Sequence, residues 1–165
     1  MMFYSAWHQN IDLFILFYLL TFFIDSTDGM LARYLKMTSK LGMYLDTYLD
    51  LSMYILVAIS LYLFIPEFLS SYLIVLATIF SMTLISRVIS YIRFGQFLML
   101  HLYTSKALYF FLTLFLVDFF VTKEPSSILF MLVLLDAALF VFEELLIILR
   151  LKEAREDILS IFDLD

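Results

Sequence analysis

D-S-T-D-G-M-L-A-R (Asp25–Arg33), eight intervening residues, then G-M-Y-L-D-T-Y-L-D (Gly42–Asp50) is the stretch that decides how this chain folds. Asp25, Asp28, Asp46 and Asp50 interrupt two otherwise strongly apolar segments. An α-helix rises about 1.5 Å and turns about 100° per residue. Asp25, Asp28, Gly29 and Ala32 therefore share one face of a first helix, and Gly42, Asp46 and Asp50 one face of a second. A short basic loop joins the two and makes them antiparallel. On that rise Asp28 lies about 7 Å below Arg33, and Asp46 about 6 Å below Gly42. These two acids sit at matching depth, with Asp25 and Asp50 roughly one turn deeper. All four carboxylates can converge just inside one leaflet.

A charged side chain at the centre of a bilayer costs about 2.5–3.5 kcal/mol. Four acids in one place need cations between them. Hard oxygen donors suit Mg²⁺, Mn²⁺ or Ca²⁺. Two such ions a few ångströms apart would hold a pyrophosphate for in-line attack. Gly29, Ala32 and Gly42 clear bulk from the same faces for a nucleotide or phosphate, and Arg33 offers a planar fork to phosphate oxygens. Two plainer readings compete. Intramembrane acids often serve proton or ion paths, and Arg87, Arg93 or Lys106 can pair with them without any metal. The glycines, in turn, can be packing sites. Eight residues at fixed spacing on shared faces favour the metal reading.

The rest of the chain agrees with a membrane setting. Of its 165 residues 64% are hydrophobic, and mean hydropathy is +1.01, where soluble domains are about 45–50% apolar. We expect an all-α, polytopic transmembrane helix bundle forming a single domain over residues 1–165. The net charge of −6 argues against nucleic acid as a partner. With no cysteine there are no disulfides or zinc thiolates. No basic residue precedes the first apolar run and no small-residue cleavage site follows it, so that run should stay in the mature protein.

Five spans are predicted, at about Ile11–Tyr34, Gly42–Phe64 (stopped by Pro66), Phe68–Phe94, Tyr103–Val121 and Ser126–Leu151. Ser126 and Ser127 can cap the last, and the tail from Lys152 reads as an interfacial amphipathic turn or short helix. Arg33, Lys36, Lys40, Arg87, Arg93, Lys106, Arg150, Lys152 and Arg155 fall on one side and only Lys123 on the other, which makes the first side cytoplasmic. The C-terminus is then inside, the present N-terminus outside, and Tyr4 and Trp7 belong to an outer aromatic belt.

These residues resemble the signature of the CDP-alcohol phosphatidyltransferase family, D-x2-D-G-x2-A-R-x8-G-x3-D-x3-D, with every fixed position filled. Arg93-Phe94-Gly95, Leu100 to Tyr103 and Lys106 are similar to the helix III–IV region of bacterial members, and Glu143 to Ile147 to their last helix. The resemblance implies transfer of a phosphatidyl group from CDP-diacylglycerol to a small polar alcohol, with release of CMP, in phospholipid biosynthesis. It implies two divalent cations, Mg²⁺ or Mn²⁺, on Asp25, Asp28, Asp46 and Asp50. Asp50 matches the general base, and Gly29, Ala32, Arg33 and Gly42 match the CDP-binding face. A homodimer in a bacterial plasma membrane, with its active site toward the cytoplasm and membrane lipids around it, is implied as well.

One departure stands out. Members typically have six membrane helices, one of them ahead of the D-x2-D-G helix. Only 24 residues precede Asp25 here, enough for one span. A late start, a truncated gene start or a five-helix variant each fits that count, and a non-catalytic member is the corresponding alternative function. Glycerol 3-phosphate is the first choice of acceptor, because Arg93 and Lys106 flank the connection between helices III and IV and suit an anionic head. Serine or an inositol (phosphate) follow. Both cations also read as topology anchors. Arg87 is placed to pair with an acid of the site, and His101 reads as interfacial. Glu143 and Glu144 are expected to pair with basic residues of a neighbouring helix. Asp136 sits mid-span with no assigned role.

Overall fold

The computed structural model describes the backbone of residues 1–34, 40–98, 100, 102–155 and 158–164. Side chains are described for these except at 22, 25, 26, 28–34, 40–51 and 164. Every regular element among the described residues is helical: α1 (Met2–Trp7), α2 (Ile11–Tyr34), α3 (Lys40–Phe64), α4 (Pro66–Ser70), α5 (Leu73–Phe94), α6 (Tyr103–Thr122), α7 (Ser127–Arg150) and a closing 3₁₀ turn (Ile161–Leu164). The expected all-α bundle is what forms. Residues Met1–Ser70 make one compact unit and Ser71–Asp165 another.

In the first unit, local chemistry sets the helix ends. Asn10 caps α2, its side-chain oxygen accepting from the Leu13 amide at 3.0 Å, which satisfies one of the orphan donors of the first turn. Pro66 ends α3 at Phe64 and takes the first position of α4, where its missing N–H costs nothing. The short α1, which apolar periodicity did not reveal, packs on both α2 and α3. It buries Met2, Ser5 and Ala6. Gln9 Nε2 donates to the Leu63 carbonyl at 2.7 Å, tying the start of α2 to the end of α3. The Phe14 and Phe64 rings meet edge-on at 5.3 Å. Tyr18, Ile15, Val57 and Leu61 are buried.

The third predicted span is broken where the chain passes from the first unit to the second. α4 stops at Ser70, and α5 starts only at Leu73. Proline at 66 starts a new turn, and Ser70 at its end donates its hydroxyl to the Glu67 carbonyl at 2.7 Å. α5 and α6 are each long and apolar enough to cross a membrane. Their connection leaves α5 through Gly95, whose φ of 70° is the left-handed conformation that glycine adopts without steric cost. α6 and α7 are joined by a tight turn. Lys123 takes the left-handed cap (φ 60°) with its amide on the Phe119 carbonyl, and Ser126 caps α7 by accepting from the Leu129 amide at 3.4 Å.

The pattern of burial on α5 is inverted relative to a water-soluble helix. The fully buried residues of α5 are Ser86 and Ser90, while Ile74 is 84% and Ile92 75% exposed. On α7 Asp136 and Glu144 are buried beside apolar residues such as Phe130, Val141 and Ile147, while Ile128, Met131 and Leu135 are exposed. Polar groups turned inward and branched aliphatics turned outward suit hydrocarbon as the solvent.

At the end of this unit that holds Arg93 and Arg150, Leu98, Leu100, Leu102, Ile147, Ile148, Leu151 and Ile158 form one buried cluster. The tail therefore does not simply lie on the surface as a free amphipathic turn. It returns Ile158 to the core and then closes as the 3₁₀ turn.

Candidate functional site

The D-x2-D-G-x2-A-R segment lies wholly on α2 and G-x3-D-x3-D wholly on α3, each an uninterrupted helix. Helical continuity keeps Asp25, Asp28, Gly29 and Ala32 in one register and Gly42, Asp46 and Asp50 in another. The side chains of these seven, and that of Arg33, lie outside the described residues, so the structure places their backbone alone. Thr27, within the same segment, donates its hydroxyl to the Phe23 carbonyl of its own helix.

The Phe14 and Phe64 rings give one point of contact between the two helices. Asp28 lies fourteen residues along α2 from Phe14, and Asp50 lies fourteen residues back along α3 from Phe64. At the helical rise each is about 21 Å from that contact; Asp25 is about 16 Å from it and Asp46 about 27 Å. Measured from that contact Asp28 and Asp50 stand at equal distance, and counting from the loop sets Asp28 with Asp46; the two counts differ by about one turn. All four positions fall within about 11 Å along the axis, and the donors are all hard oxygens, the set that fits Mg²⁺ or Mn²⁺.

Among the described residues no group of three or more His, Asp or Glu gathers into a metal-holding cluster. The described charges of the second unit are used for packing instead. Glu144, fully buried on α7, accepts from Ser86 Oγ at 2.9 Å and faces Arg87 Nη2 at 2.9 Å. Arg87 thus finds its acid on α7, and its other terminal nitrogen donates to the Leu98 carbonyl. Ser90 holds the same loop from its own side, donating to the Gln96 carbonyl at 3.0 Å and accepting from the Leu98 amide at 2.8 Å.

Arg93 spends three hydrogen bonds on the last carbonyls of α7: Ile148 and Leu149 at 2.6 Å and Leu151 at 3.0 Å. A cation there complements the negative end of the helix dipole. Lys106 is exposed, its ammonium 5.1 Å from the Tyr103 ring. Glu143 was expected to meet a basic residue. It accepts instead from Thr104 Oγ1 at 2.8 Å, Ser160 Oγ at 3.0 Å and the Ile161 amide at 3.0 Å. Adjacent residues on a helix point about 100° apart, which is why Glu144 turns to α5 while Glu143 turns to α6 and the tail. Their adjacency was the one sequence signal that two different partners were needed. His101 lies outside the described residues.

No curated protein and no solved structure matched the chain. The profile of the CDP-alcohol phosphatidyltransferase family, described by that name, matches residues 1–142. The match takes in both helices of the acidic segment and α5, α6 and the first half of α7. With most of its length so matched, the chain belongs to the CDP-alcohol phosphatidyltransferase family, a family of membrane-embedded phosphotransferases of phospholipid synthesis.

Proposed function

We propose that this chain moves a phosphatidyl group from CDP-diacylglycerol to a small polar alcohol, glycerol 3-phosphate first among them, and that residues 1–165 act as one catalytic domain. The observation that carries the reading is the filled D-x2-D-G-x2-A-R-x8-G-x3-D-x3-D on two unbroken helices.

Asp25, Asp28, Asp46 and Asp50 would hold two divalent cations. The family is generally dependent on such ions, which when bound neutralise the pyrophosphate and the departing CMP. Gly29, Ala32 and Gly42 admit the CDP group close to the backbone, and Arg33 binds its phosphate oxygens. Asp50 takes the proton from the acceptor hydroxyl. The freed oxygen bonds to the phosphorus that carries diacylglycerol. The bridging P–O bond breaks, and CMP leaves with its electron pair. Reaction at headgroup depth, on the cytoplasmic side of a bacterial plasma membrane, lets the acyl chains stay in lipid. A homodimer is the assembly we expect.

Among the described residues Arg87 is engaged with Glu144, and Arg93 with the α7 carbonyls. Lys106 is then the principal cation for an anionic acceptor, with the remaining donors of Arg93 as a second contact.

The test is CMP release by the purified protein in mixed micelles containing CDP-diacylglycerol and Mg²⁺ or Mn²⁺, with each acceptor supplied in turn. Release with glycerol 3-phosphate, abolished by chelator, is expected. Release with serine or inositol alone would replace the acceptor. No release with any acceptor, from a protein that is folded and binds the donor, would favour a non-catalytic member.

A further inference from the structure

α6 begins without a side-chain cap: Leu102 occupies the N-cap position, and its side chain can offer the first-turn amides no hydrogen bond. The first amides of a helix need partners from elsewhere. Here the C-terminal tail supplies one, because the Leu159 carbonyl accepts from the Tyr103 amide at 2.9 Å. Glu143 secures the next residue through Thr104 Oγ1 at 2.8 Å, and with its other oxygen it grips the tail at Ser160 and Ile161. Asp163 closes the tail on itself, accepting from the Leu159 and Ser160 amides at 3.1 and 2.9 Å. Ile158 anchors the segment in the apolar cluster shared with Leu102 and Ile147. A carboxylate beside a helix N-terminus is also favoured by the dipole. Lys106 is the fourth residue of the helix so held, and its own amide bonds only weakly back to the Leu102 carbonyl, at 3.4 Å.

We propose that Glu143 and the returning tail, residues 158–161, form a clamp that sets the first turn of α6, the turn that carries Lys106. Glu143 is a positioning residue: it touches neither donor nor acceptor and acts through Thr104 and the tail backbone. The proposal rests on the reading of Lys106 as the acceptor's cation. It makes the C-terminal tail, beyond the 142 residues matched by the family profile, a determinant of acceptor affinity.

The experiment uses the full chain in mixed micelles, with acceptor and donor kinetics measured separately and amide hydrogen exchange followed over 103–106. Glu143→Ala is expected to raise the acceptor KM by about tenfold while the CDP-diacylglycerol KM and kcat stay within about twofold. It should also speed exchange at the first turn of α6. Glu143→Gln keeps an acceptor for Ser160 and Ile161 and a group that Thr104 can bond, so it should restore most of the affinity. Thr104→Val, which removes a single contact, should show the same KM split to a smaller degree. Lys106→Met separates the two ideas. If it raises the acceptor KM while Glu143→Ala and Thr104→Val do not, the clamp is overturned and the acceptor reading stands. If Lys106→Met leaves the acceptor KM unchanged, the acceptor reading falls and the clamp's role with it. Equal loss of donor and acceptor affinity in Glu143→Ala, without rescue by Gln, would reduce Glu143 to a general stabilising residue and also overturn the proposal.

Discussion

Replacing Arg87 by Met should be among the most destabilising single changes in this protein. Glu144 is 0% exposed and Arg87 25%. Without the guanidinium, Glu144 keeps a hydroxyl partner in Ser86 at one oxygen and loses its ion-pair partner at the other. Breaking a buried pair from one side typically costs about 3–5 kcal/mol, because the remaining charge is stranded. Arg87 is partly exposed, which sets the expectation near the lower end, at about 3 kcal/mol. Its bond to the Leu98 carbonyl is lost as well. The double variant Arg87→Met with Glu144→Leu removes both charges and fills similar volume, so it should lie within about 1–2 kcal/mol of the parent. The assay is reversible unfolding in mixed micelles, read by helical circular dichroism, run as a double-mutant cycle. A coupling of at least about 1.5 kcal/mol is expected for residues in direct contact. An Arg87→Met protein as stable as the parent, or a double variant whose losses simply add, would refute the reasoning.

Four other outcomes follow from the same contacts. Asp50→Asn should cut CMP release by about 10²–10⁴-fold, the usual worth of a general base, with donor binding retained; full turnover would remove Asp50 from that role. Arg93→Met should lower stability by about 2 kcal/mol through its charged hydrogen bonds to α7 and raise the acceptor KM less than Lys106→Met does. Gly95→Ala should cost about 1–2 kcal/mol, since a Cβ there meets no neighbour and the strain lies only in the φ of 70°; equilibrium unfolding checks it. Ile158→Ala should cost about 2–4 kcal/mol by emptying a fully buried site, and limited proteolysis should then reach the tail first.

The helices were legible because apolar runs of span length are hard to disguise. α2, α3, α6 and α7 start and stop within two residues or so of the sequence expectation, helped by Pro66, Gly95 and Ser126. Two features were not legible. α1 is only six residues long, too short for a periodic signal, and it is specified by packing on α2 and α3. The break at 71–72 divides what reads as one apolar span, because serine is neutral in a sequence pattern and Ser70 acts only through a hydrogen bond made in place. The acidic segment needed no tertiary information at all: its chemistry is in its spacing, and α2 and α3 keep that spacing by being unbroken.

The tail shows why charge pattern alone misjudges a membrane protein's ends. Residues 152–165 carry acids and bases among six apolar positions, which reads as an amphipathic segment resting on a headgroup surface. That reading takes every apolar residue as lipid-facing. Ile158 is instead 0% exposed, while Phe162 is 86% exposed. One apolar residue enters the protein and another remains outside. The deciding groups are polar. The tail's Leu159 carbonyl answers the uncapped start of α6, and its Ser160 hydroxyl and Ile161 amide answer Glu143, a carboxylate with no cation among its recorded partners. Backbone groups near a bilayer must be satisfied within the protein, and that requirement, rather than hydropathy, brings this segment back to the bundle. The fold of the chain's last residues thus follows from the hydrogen bonds that α6 and α7 leave unmade.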